Sequence, residues 1–274
     1  MTRVARCLSA VAASLALLAG VVTPASAVVW GEPDGEVHPY VVLLQMFSGD
    51  TYLGRCTGTL IAPRLVLTAG HCTVLGDNAL VWQGSDLTGW NGPMTPGTTS
   101  THPGYTWLEV NRGDVGVIIL DEPVCLGQYG ALPEIGVMET LVKPAQQGPP
   151  AIMNVVGYGV QEILPNPHDL VAERIREQAF PKMLGMESTA AGGWMAILQG
   201  GPGEGLGQGS ACFGDSGGPA LLSSGSNVIG AVASGGRTKY CTGNGFYYRV
   251  DTEYVQDWIY GSFGDLLTES PTCP

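Results

Sequence analysis

The chain consists largely of short apolar runs separated by clusters of Gly, Pro, Asn and Asp. Runs of this length that are rich in β-branched side chains are typical of β-strands, and the intervening residues favour turns. Such strands need a closed barrel or a second packed layer to bury their apolar faces. The sequence therefore predicts an all-β fold, with strands at Tyr40–Met46, Thr59–Ile61, Leu65–Leu67, Val115–Leu120, Ile152–Val156, Ala220–Leu222, Val228–Val232 and Phe246–Val250.

Composition narrows the class further. With 41 Gly, 19 Pro and only 13% charged residues among 274, the chain lacks the makeup of coiled coils and helical solenoids. A hydrophobic share of 45% provides enough apolar surface for a folded core, which excludes a disordered chain. A net charge of −12 without basic clusters argues against a nucleic-acid partner. The length fits one large β domain or two domains of about 100–150 residues.

The first 27 residues have the pattern of a secretory signal peptide. Arg3 and Arg6 precede the apolar run Leu8–Val22, and small residues at Pro24–Ala27 form a cleavage site. The apolar run is shorter than the roughly 20 residues that a membrane-spanning helix needs. We therefore expect an exported, extracellular protein that begins at Val28, carries a net charge of −14 and has no membrane partner after cleavage.

The cysteine count agrees with export. Cys7 leaves with the signal peptide, and an even number of cysteines in an exported chain indicates disulfides, although six cysteines allow 15 pairings. Zinc is disfavoured because no C-x-x-C spacing occurs and adjacent His71 and Cys72 are poorly placed as joint ligands. The mature chain keeps Cys56, Cys72, Cys125, Cys212, Cys241 and Cys273.

Two segments have helical features. Asp251–Glu253 offers a capping residue and a first-turn acid, and Val255, Trp258 and Ile259 then share one face, which predicts a C-terminal helix. The segment Asp169–Gln178 has helical propensity but mixed charges and a following proline, so its state stays open.

A glycine-rich segment, Cys212–Pro219, surrounds Ser216. A serine hydroxyl is a poor nucleophile unless a base removes its proton and donors stabilise the resulting oxyanion. Glycines let the backbone turn tightly, so that N–H groups can face a bound carbonyl. The segment therefore makes Ser216 a candidate nucleophile, with an ordinary surface loop as the alternative.

Four histidines could supply the base. His38, His102 and His168 lie near prolines in loop-like surroundings, whereas His71 follows an apolar run and abuts a cysteine that could fix its position. Asp114 directly precedes a buried strand, where a carboxylate is costly unless it has a partner. An imidazole is such a partner, although Asp114 could instead cap a turn.

Together, the blocks Thr68–Cys72, Asp114–Val117 and Gly214–Pro219 resemble the catalytic blocks of chymotrypsin-like serine proteases. They occur in that family's His, Asp, Ser order, separated by 43 and 102 residues, and the likeness extends from Val28 to about Tyr260. The resemblance implies two six-stranded antiparallel β-barrels and a C-terminal helix. It divides the chain into a signal peptide (1–27), an N-terminal barrel (28–140), a C-terminal barrel (141–250) and a helix with tail (251–274).

The resemblance also implies roles. Ser216 would attack the scissile carbonyl, His71 would carry its proton to the leaving amine, and Asp114 would orient His71. The backbone N–H groups of Gly214 and Ser216 would form the oxyanion hole. Gly70 and Gly116 stand where the family usually has Ala. The resemblance directly implies the disulfides Cys56–Cys72 and Cys212–Cys241. A third disulfide, Cys125–Cys273, follows only by elimination.

The same resemblance locates the pocket for the residue before the cleaved bond, P1. Its floor would be Ser210, where trypsin-like members have the Asp that selects Arg or Lys, and its walls would be Ser234, Gly236 and Gly245. An open, uncharged pocket favours large apolar or aromatic side chains. We expect protein or peptide substrates, no cofactor, no metal and a monomer.

The N-terminus resembles the family's mature start, with Trp30 in a position usually held by glycine. In the family, the new α-ammonium pairs with the Asp before the nucleophile, here Asp215. The signal-peptidase site lies directly before Val28, so export itself would free the activating amine. Two alternatives remain: an inactive homologue that serves as a binding module, and an esterase of another fold, whose acid would precede its histidine in a different order.

Overall fold

A computed structural model describes residues 28–106, 112–142, 148–163, 170–187, 193–200 and 209–270. Within these ranges the fold is mostly β, as the short apolar runs predict. Its strands are β1 Glu32–Pro33, β2 Val41–Ser48, β3 Thr51–Ala62, β4 Leu65–Thr68, β5 Asn78–Trp82, β6 Met94–Thr101, β7 Gly116–Leu120, β8 Asn154–Gly157, β9 Glu162–Ile163, β10 Leu170–Val171, β11 Glu177–Ala179, β12 Met183–Met186, β13 Met195–Gly200, β14 Pro219–Leu221, β15 Ile229–Gly236 and β16 Gly243–Arg249; its helices are α1 Gly70–Thr73, α2 Val137–Leu141 and α3 Glu253–Thr268.

Six strands of the N-terminal half close into a barrel in the order β2-β3-β4-β7-β6-β5. All neighbouring pairs are antiparallel, and β4 pairs with β7 from Leu65↔Ile119 to Thr68↔Gly116. Leucine, isoleucine and valine side chains from these strands are fully buried inside the barrel. This closure fixes the last residue of β4 beside the first residue of β7; His71 follows β4 and Asp114 precedes β7.

Seven strands of the C-terminal half and β1 of the N-terminal segment form an eight-stranded sheet in the order β1-β11-β8-β14-β15-β16-β13-β12. The edge strand β12 and the strand β11, which lies next to the opposite edge, are separated in the chain by only Phe180–Lys182, so the sheet curls until its two sides meet. The expected chymotrypsin-like fold is confirmed, but this sheet has eight strands rather than six. The count differs because Pro181, which has no N–H to donate, divides one strand into β11 and β12, and because β1 adds at an edge.

The predicted C-terminal helix is present as α3, and Thr252 caps it by accepting a hydrogen bond from Val255 N. Val255 and Ile259 are buried on one face, as their spacing predicts. Among the described helices, none has the length and hydropathy that crossing a membrane requires. The undecided segment 169–178 forms no helix where it is described: β10 and β11 hold it extended, and residue 169 lies outside the described ranges.

A buried charge network ties the N-terminal segment to both halves. The Arg176 Nε donates to Asp34 Oδ2 at 2.7 Å, and both side chains are fully buried. The same guanidinium donates to the carbonyl of Val41 in the barrel and to the hydroxyl of Tyr158. His38 Nδ1 and the His38 backbone N–H also bond the Asp34 carboxylate. Burial alone would raise the pKa of Asp34, but the bonds from His38 and Arg176 outweigh burial and hold that pKa below its ordinary value.

We expect Asp34→Asn to lower the free energy of unfolding by about 3–5 kcal/mol, because it leaves a buried guanidinium without its carboxylate. Glu36→Gln is the matched control, since Glu36 lies 3.8 Å from the same guanidinium but is 73% exposed; it should cost less than about 1 kcal/mol. Because the pKa of Asp34 is lowered in the folded protein, the contribution of Asp34 to the free energy of unfolding should be fully present above the ordinary carboxyl pKa. It should disappear as the pH falls through the lowered pKa. Chemical denaturation of both variants at several pH values measures this, and equal losses in the two variants would contradict it.

Candidate active site

His71 and Asp114 meet at the adjacent ends of two barrel strands. His71 lies in the short helix α1 directly after β4, and Asp114 lies just before β7. The His71 Nδ1 is 3.0 Å from Asp114 Oδ2 and 3.1 Å from Oδ1, and the His71 backbone N–H donates to Oδ1 at 2.8 Å. Asp114 is buried, whereas the His71 side chain is 22% exposed. A carboxylate therefore fixes one edge of the ring while part of the side chain stays exposed.

The two glycines that depart from the family's usual alanines have a local reason. A Cβ on Gly116 would lie 2.3 Å from Thr73 Oγ1, so the Thr73 side chain fills the space that an alanine methyl would occupy. Thr73 Oγ1 in turn donates to the Gly70 carbonyl at 3.1 Å and contacts Thr101 Oγ1 at 2.8 Å. A Cβ on Gly70 would lie 3.0 Å from Val115 N. These contacts pack α1 tightly against the segment that carries the acid.

The other histidines have different surroundings. His38 also pairs with a carboxylate, but both groups are buried and the His38 Nε2 lies 3.4 Å from the side-chain amide of Asn154. His102 is packed against Tyr254 and Trp258, and burial lowers its pKa. His168 lies outside the described residues. Of the described histidines, His71 alone combines a buried carboxylate partner with an exposed edge.

Sequence reasoning assigned Ser234 to the pocket wall and missed its contact with the acid. The Ser234 hydroxyl donates to Asp114 Oδ2, the oxygen nearer to His71 Nδ1. Ser234 belongs to β15 of the second sheet, so this bond joins the two halves across the cleft. No local pattern in the sequence indicates such a bond, because 120 residues separate its partners.

Thr57 holds the loop around Ser216 against the first barrel. Its backbone N–H donates to the Ser216 carbonyl at 2.8 Å, and its hydroxyl donates to the Gly214 carbonyl at 2.9 Å. Thr68 Oγ1 donates to the Thr57 carbonyl at 2.8 Å. A Cβ on Gly217 would lie 1.9 Å from Thr68 Oγ1, so only glycine permits this close approach. The Ser216 loop therefore packs on the end of β4, directly before His71.

Two further bonds set the direction of the candidate oxyanion donors. In a trans peptide unit the C=O and the following N–H point in opposite directions. Val160 N donates to the Phe213 carbonyl at 2.9 Å, which fixes the N–H of Gly214, and Gly218 N donates to the Asp215 carbonyl at 2.8 Å, which fixes the N–H of Ser216. Gly214 has φ +99°, a conformation that favours glycine. Both N–H groups are thus oriented before any substrate binds.

Asp215 is a fully buried carboxylate between these donors. Its oxygens accept from Gly159 N at 2.7 Å and Cys212 N at 2.8 Å. Burial raises its pKa to about 7 despite these bonds and the nearby charge of Arg55. No Lys or Arg of the described residues forms an ion pair with it. The buried Val28 lines the same narrow cleft as Asp215.

The N-terminal segment reaches this cleft along the pocket floor. Ser210 N donates to the Val29 carbonyl at 3.1 Å, and the two residues form a β-bridge. Trp30 has φ +59°, a left-handed conformation that favours glycine, and its side chain is 43% exposed. The indole therefore faces solvent rather than the cleft.

A cavity of about 370 Å³ opens beside Ser216. Ser210, Ser234 and Gly236 line it, whereas Gly245 is buried beside it and pairs with Gly236 in the sheet. The exposed Phe213 and a loop that sequence reasoning did not single out complete its walls. The described lining residues are Ser210–Phe213, Ser216, Ala233–Lys239, Cys241, Thr242 and Asn244.

Two disulfides brace the site. The Cys56–Cys72 bond lies beside His71, and the Cys212–Cys241 bond joins the Ser216 loop to the cavity wall. Cys56, His71 and Cys72 form a cluster with metal-ligand spacing, but the disulfide occupies both sulfurs. Cys125 is disulfide-bonded as well, while its expected partner Cys273 lies outside the described residues, so that pairing stays a prediction.

Comparisons with known proteins agree with this geometry. Bovine (Bos taurus) chymotrypsin-like elastase family member 1 is 26% identical over 199 residues, covering 66% of this chain and 67% of the relative. Among solved structures, HL collagenase aligns with a TM-score of 0.68 at 22% identity over 86% of this chain and 99% of its own. Human heparin binding protein aligns with a TM-score of 0.63 at 18% identity, over 90% of this chain and 100% of its own. The two structures show a shared fold.

The family model named Trypsin matches residues 29–259, a range that contains the His71–Asp114 pair, the Ser216 loop and the cavity beside them. This chain therefore belongs to the trypsin family of chymotrypsin-like serine proteases.

Proposed function

We propose that this chain is an active serine endopeptidase that hydrolyses peptide bonds through Ser216, His71 and Asp114. The observation that carries the proposal is the combination of a fixed His71–Asp114 pair with two backbone donors already oriented beside Ser216. In this mechanism Ser216 Oγ attacks the carbonyl carbon of the scissile peptide, and His71 accepts the hydroxyl proton. His71 then gives that proton to the leaving amine, and a water molecule hydrolyses the acyl-enzyme by the same route.

The surrounding bonds explain how the site would favour the transition state. Asp114 keeps the His71 proton on Nδ1 and stabilises the imidazolium that forms during attack. The N–H groups of Gly214 and Ser216 would bind the oxyanion, and each such donor is typically worth about 2.7–4 kcal/mol of transition-state stabilisation. Because the backbone holds both donors in place, little reorganisation accompanies the reaction.

An inactive homologue that acts as a binding module is the alternative, and a fold neighbour named for heparin binding makes it worth testing. This chain nevertheless retains all three side chains and the glycine of the expected oxyanion hole. The relative named as an elastase supports a peptidase rather than a binding module.

The cavity supports a preference for large apolar or aromatic P1 residues. Its buried floor residue Ser210 carries no charge, and its hydroxyl donates to the Ala211 carbonyl at 3.2 Å. A Cβ on Gly236 would meet no atom within 4 Å, so the wall leaves room for a bulky side chain. No carboxylate is present among the described lining residues to select Arg or Lys.

We also propose that the protein is secreted and that signal-peptide cleavage before Val28 completes the site. The new α-ammonium would supply the cation that the buried Asp215 lacks within the described residues. Pairing would keep the Ser216 loop in its present conformation, since Asp215 lies between the two candidate oxyanion donors.

Ser216→Ala should lower kcat/KM for peptide cleavage by at least about a thousand-fold and abolish covalent labelling by a serine-directed phosphonate, because the nucleophile is gone. Ser224→Ala changes an exposed serine and serves as the matched control, with labelling and cleavage unchanged. Mass spectrometry of the labelled protein locates the modified residue. An unlabelled wild type would rule out the protease function.

Peptides with Phe at P1 should be cleaved at least about ten-fold faster than matched peptides with Arg, since an apolar side chain gains about 1.4 kcal/mol or more from the pocket. Ser210→Asp should reverse that order by placing a carboxylate at the floor. Phosphonate titration of intact active sites separates altered specificity from misfolding. A preference for Arg in the wild type would contradict the pocket assignment.

A chain that begins at Val28 should be at least about a hundred-fold more active than one that retains Ala27, because only the former has an α-ammonium for Asp215. The α-ammonium must stay charged to pair with Asp215, and such pairing would raise the pKa of that amine above its ordinary range of about 7.7–8.0, so we expect activity to fall as the pH rises through the raised pKa. N-terminal sequencing of the secreted, active enzyme is the direct check. A start at Ser26 or beyond Val28 would contradict this activation route.

A further inference from the structure

Two cations line the cavity beside Ser216. Arg237 and Lys239 follow the end of β15 and belong to the cavity wall, and both are exposed. With Thr238 they form what we call the cationic wall, residues 237–239. Ser210 at the floor is only 4% exposed, so the charged groups lie at the mouth of the cavity and the uncharged surface lies at its base.

The cationic wall is held in place. Thr238 Oγ1 donates to the Thr242 carbonyl at 3.1 Å and accepts from Thr242 N at the same distance, which closes the loop on itself. The Cys212–Cys241 disulfide then ties this loop to the Ser216 segment. The Arg237 guanidinium lies 5.9 Å from the centre of the Phe246 ring, within the range of a cation–π contact. The loop therefore presents its charges from a braced backbone.

These charges stand out against the rest of the chain. The protein has 24 acidic and 12 basic residues, yet the described residues of the cavity include two cations and no carboxylate. Neither Arg237 nor Lys239 forms an ion pair with any described residue. Two cations at the cleft that have no ion-pair partner among the described residues weaken the repulsion that the net negative charge of the protein exerts there on anionic groups.

The cationic wall lies on the acyl side of the expected cleavage site. His71 would protonate the leaving amine, but the described cavity lining contains no residue of the first barrel, which carries His71. The side chain that fills the cavity belongs to the acyl half of the substrate. A carboxylate that reaches the mouth would thus come from a residue on the N-terminal side of P1.

We propose that Arg237 and Lys239 select peptides that carry an acidic side chain at one of the positions P2–P4, next to an apolar P1 residue in the cavity. This inference rests on the proposed peptidase function and specifies its substrate class. The pairs would be solvent-exposed, so each contributes modestly and is weakened by salt.

The test uses matched peptides with Phe at P1 and either Glu or Gln at P2, P3 or P4, assayed with the mature enzyme at low and high salt. We expect Glu at one or more of these positions to raise kcat/KM about five-fold over Gln at low salt, through KM. The double variant Arg237→Gln/Lys239→Gln should lose this preference and still cleave the Gln peptides. Arg64→Gln/Lys182→Gln removes the same net charge from residues that do not line the cavity and should keep the preference.

Each outcome separates the two claims. Normal phosphonate labelling and cleavage of Gln peptides without any Glu preference would overturn the acidic substrate class and leave the peptidase function standing. A Glu preference that survives in the Arg237→Gln/Lys239→Gln variant would overturn the assignment to the cationic wall. Absence of both labelling and cleavage in the wild type would overturn the proposed function and this inference together.

Discussion

The site depends on the hydrogen bonds that pin the Cys212–Gly218 loop between the two halves of the molecule. Thr57 bonds the carbonyls of Gly214 and Ser216 from the first barrel, and Val160 bonds the carbonyl of Phe213 from the second half. Gly218 likewise bonds the carbonyl of Asp215, so the N–H groups of Gly214 and Ser216, which follow the Phe213 and Asp215 carbonyls in the chain, point in the opposite direction. Glycine is needed at both turns of this loop, because φ +99° at Gly214 strains any residue with a Cβ and because a Cβ on Gly217 would lie 1.9 Å from Thr68 Oγ1. Backbone geometry, rather than any single side chain, orients the two N–H groups that we propose as oxyanion donors.

Much of this arrangement is encoded locally and could be predicted. The short β-branched runs become strands because each has one face to bury, and α3 begins at Thr252 because a capping hydroxyl precedes an apolar stripe. The His71 and Ser216 blocks are specific because their glycines lie where a Cβ would crowd neighbouring atoms, and because their cysteines form the disulfides beside the site. The chymotrypsin-like fold follows from these blocks and their order.

Other features depend on long-range contacts that no local pattern contains. The bond from Ser234 to Asp114 spans 120 residues, and the burial of Arg176 depends on Asp34 far earlier in the chain. That burial also explains why the segment before β11 is extended although its propensity allowed a helix: a fully buried guanidinium must reach a carboxylate. The eight-stranded second sheet likewise depends on where β1 docks. The cationic wall was missed because exposed cations are common and only the fold places these two at a cleft.

The charge distribution connects the fold to the proposed chemistry. Asp114, Asp215 and Asp34 are all buried, and each accepts hydrogen bonds from specific donors, so these carboxyl groups are directed into the protein and not toward its surface. The cations Arg237 and Lys239, by contrast, are exposed at the mouth of the cavity.

A crystal structure of the mature enzyme after reaction with a peptide phosphonate tests the central claim most directly. The account predicts a phosphorus bonded to Ser216 Oγ, with a phosphoryl oxygen accepting hydrogen bonds from Gly214 N and Ser216 N; a phosphonate attached elsewhere, or an oxygen that faces away from both N–H groups, would contradict it.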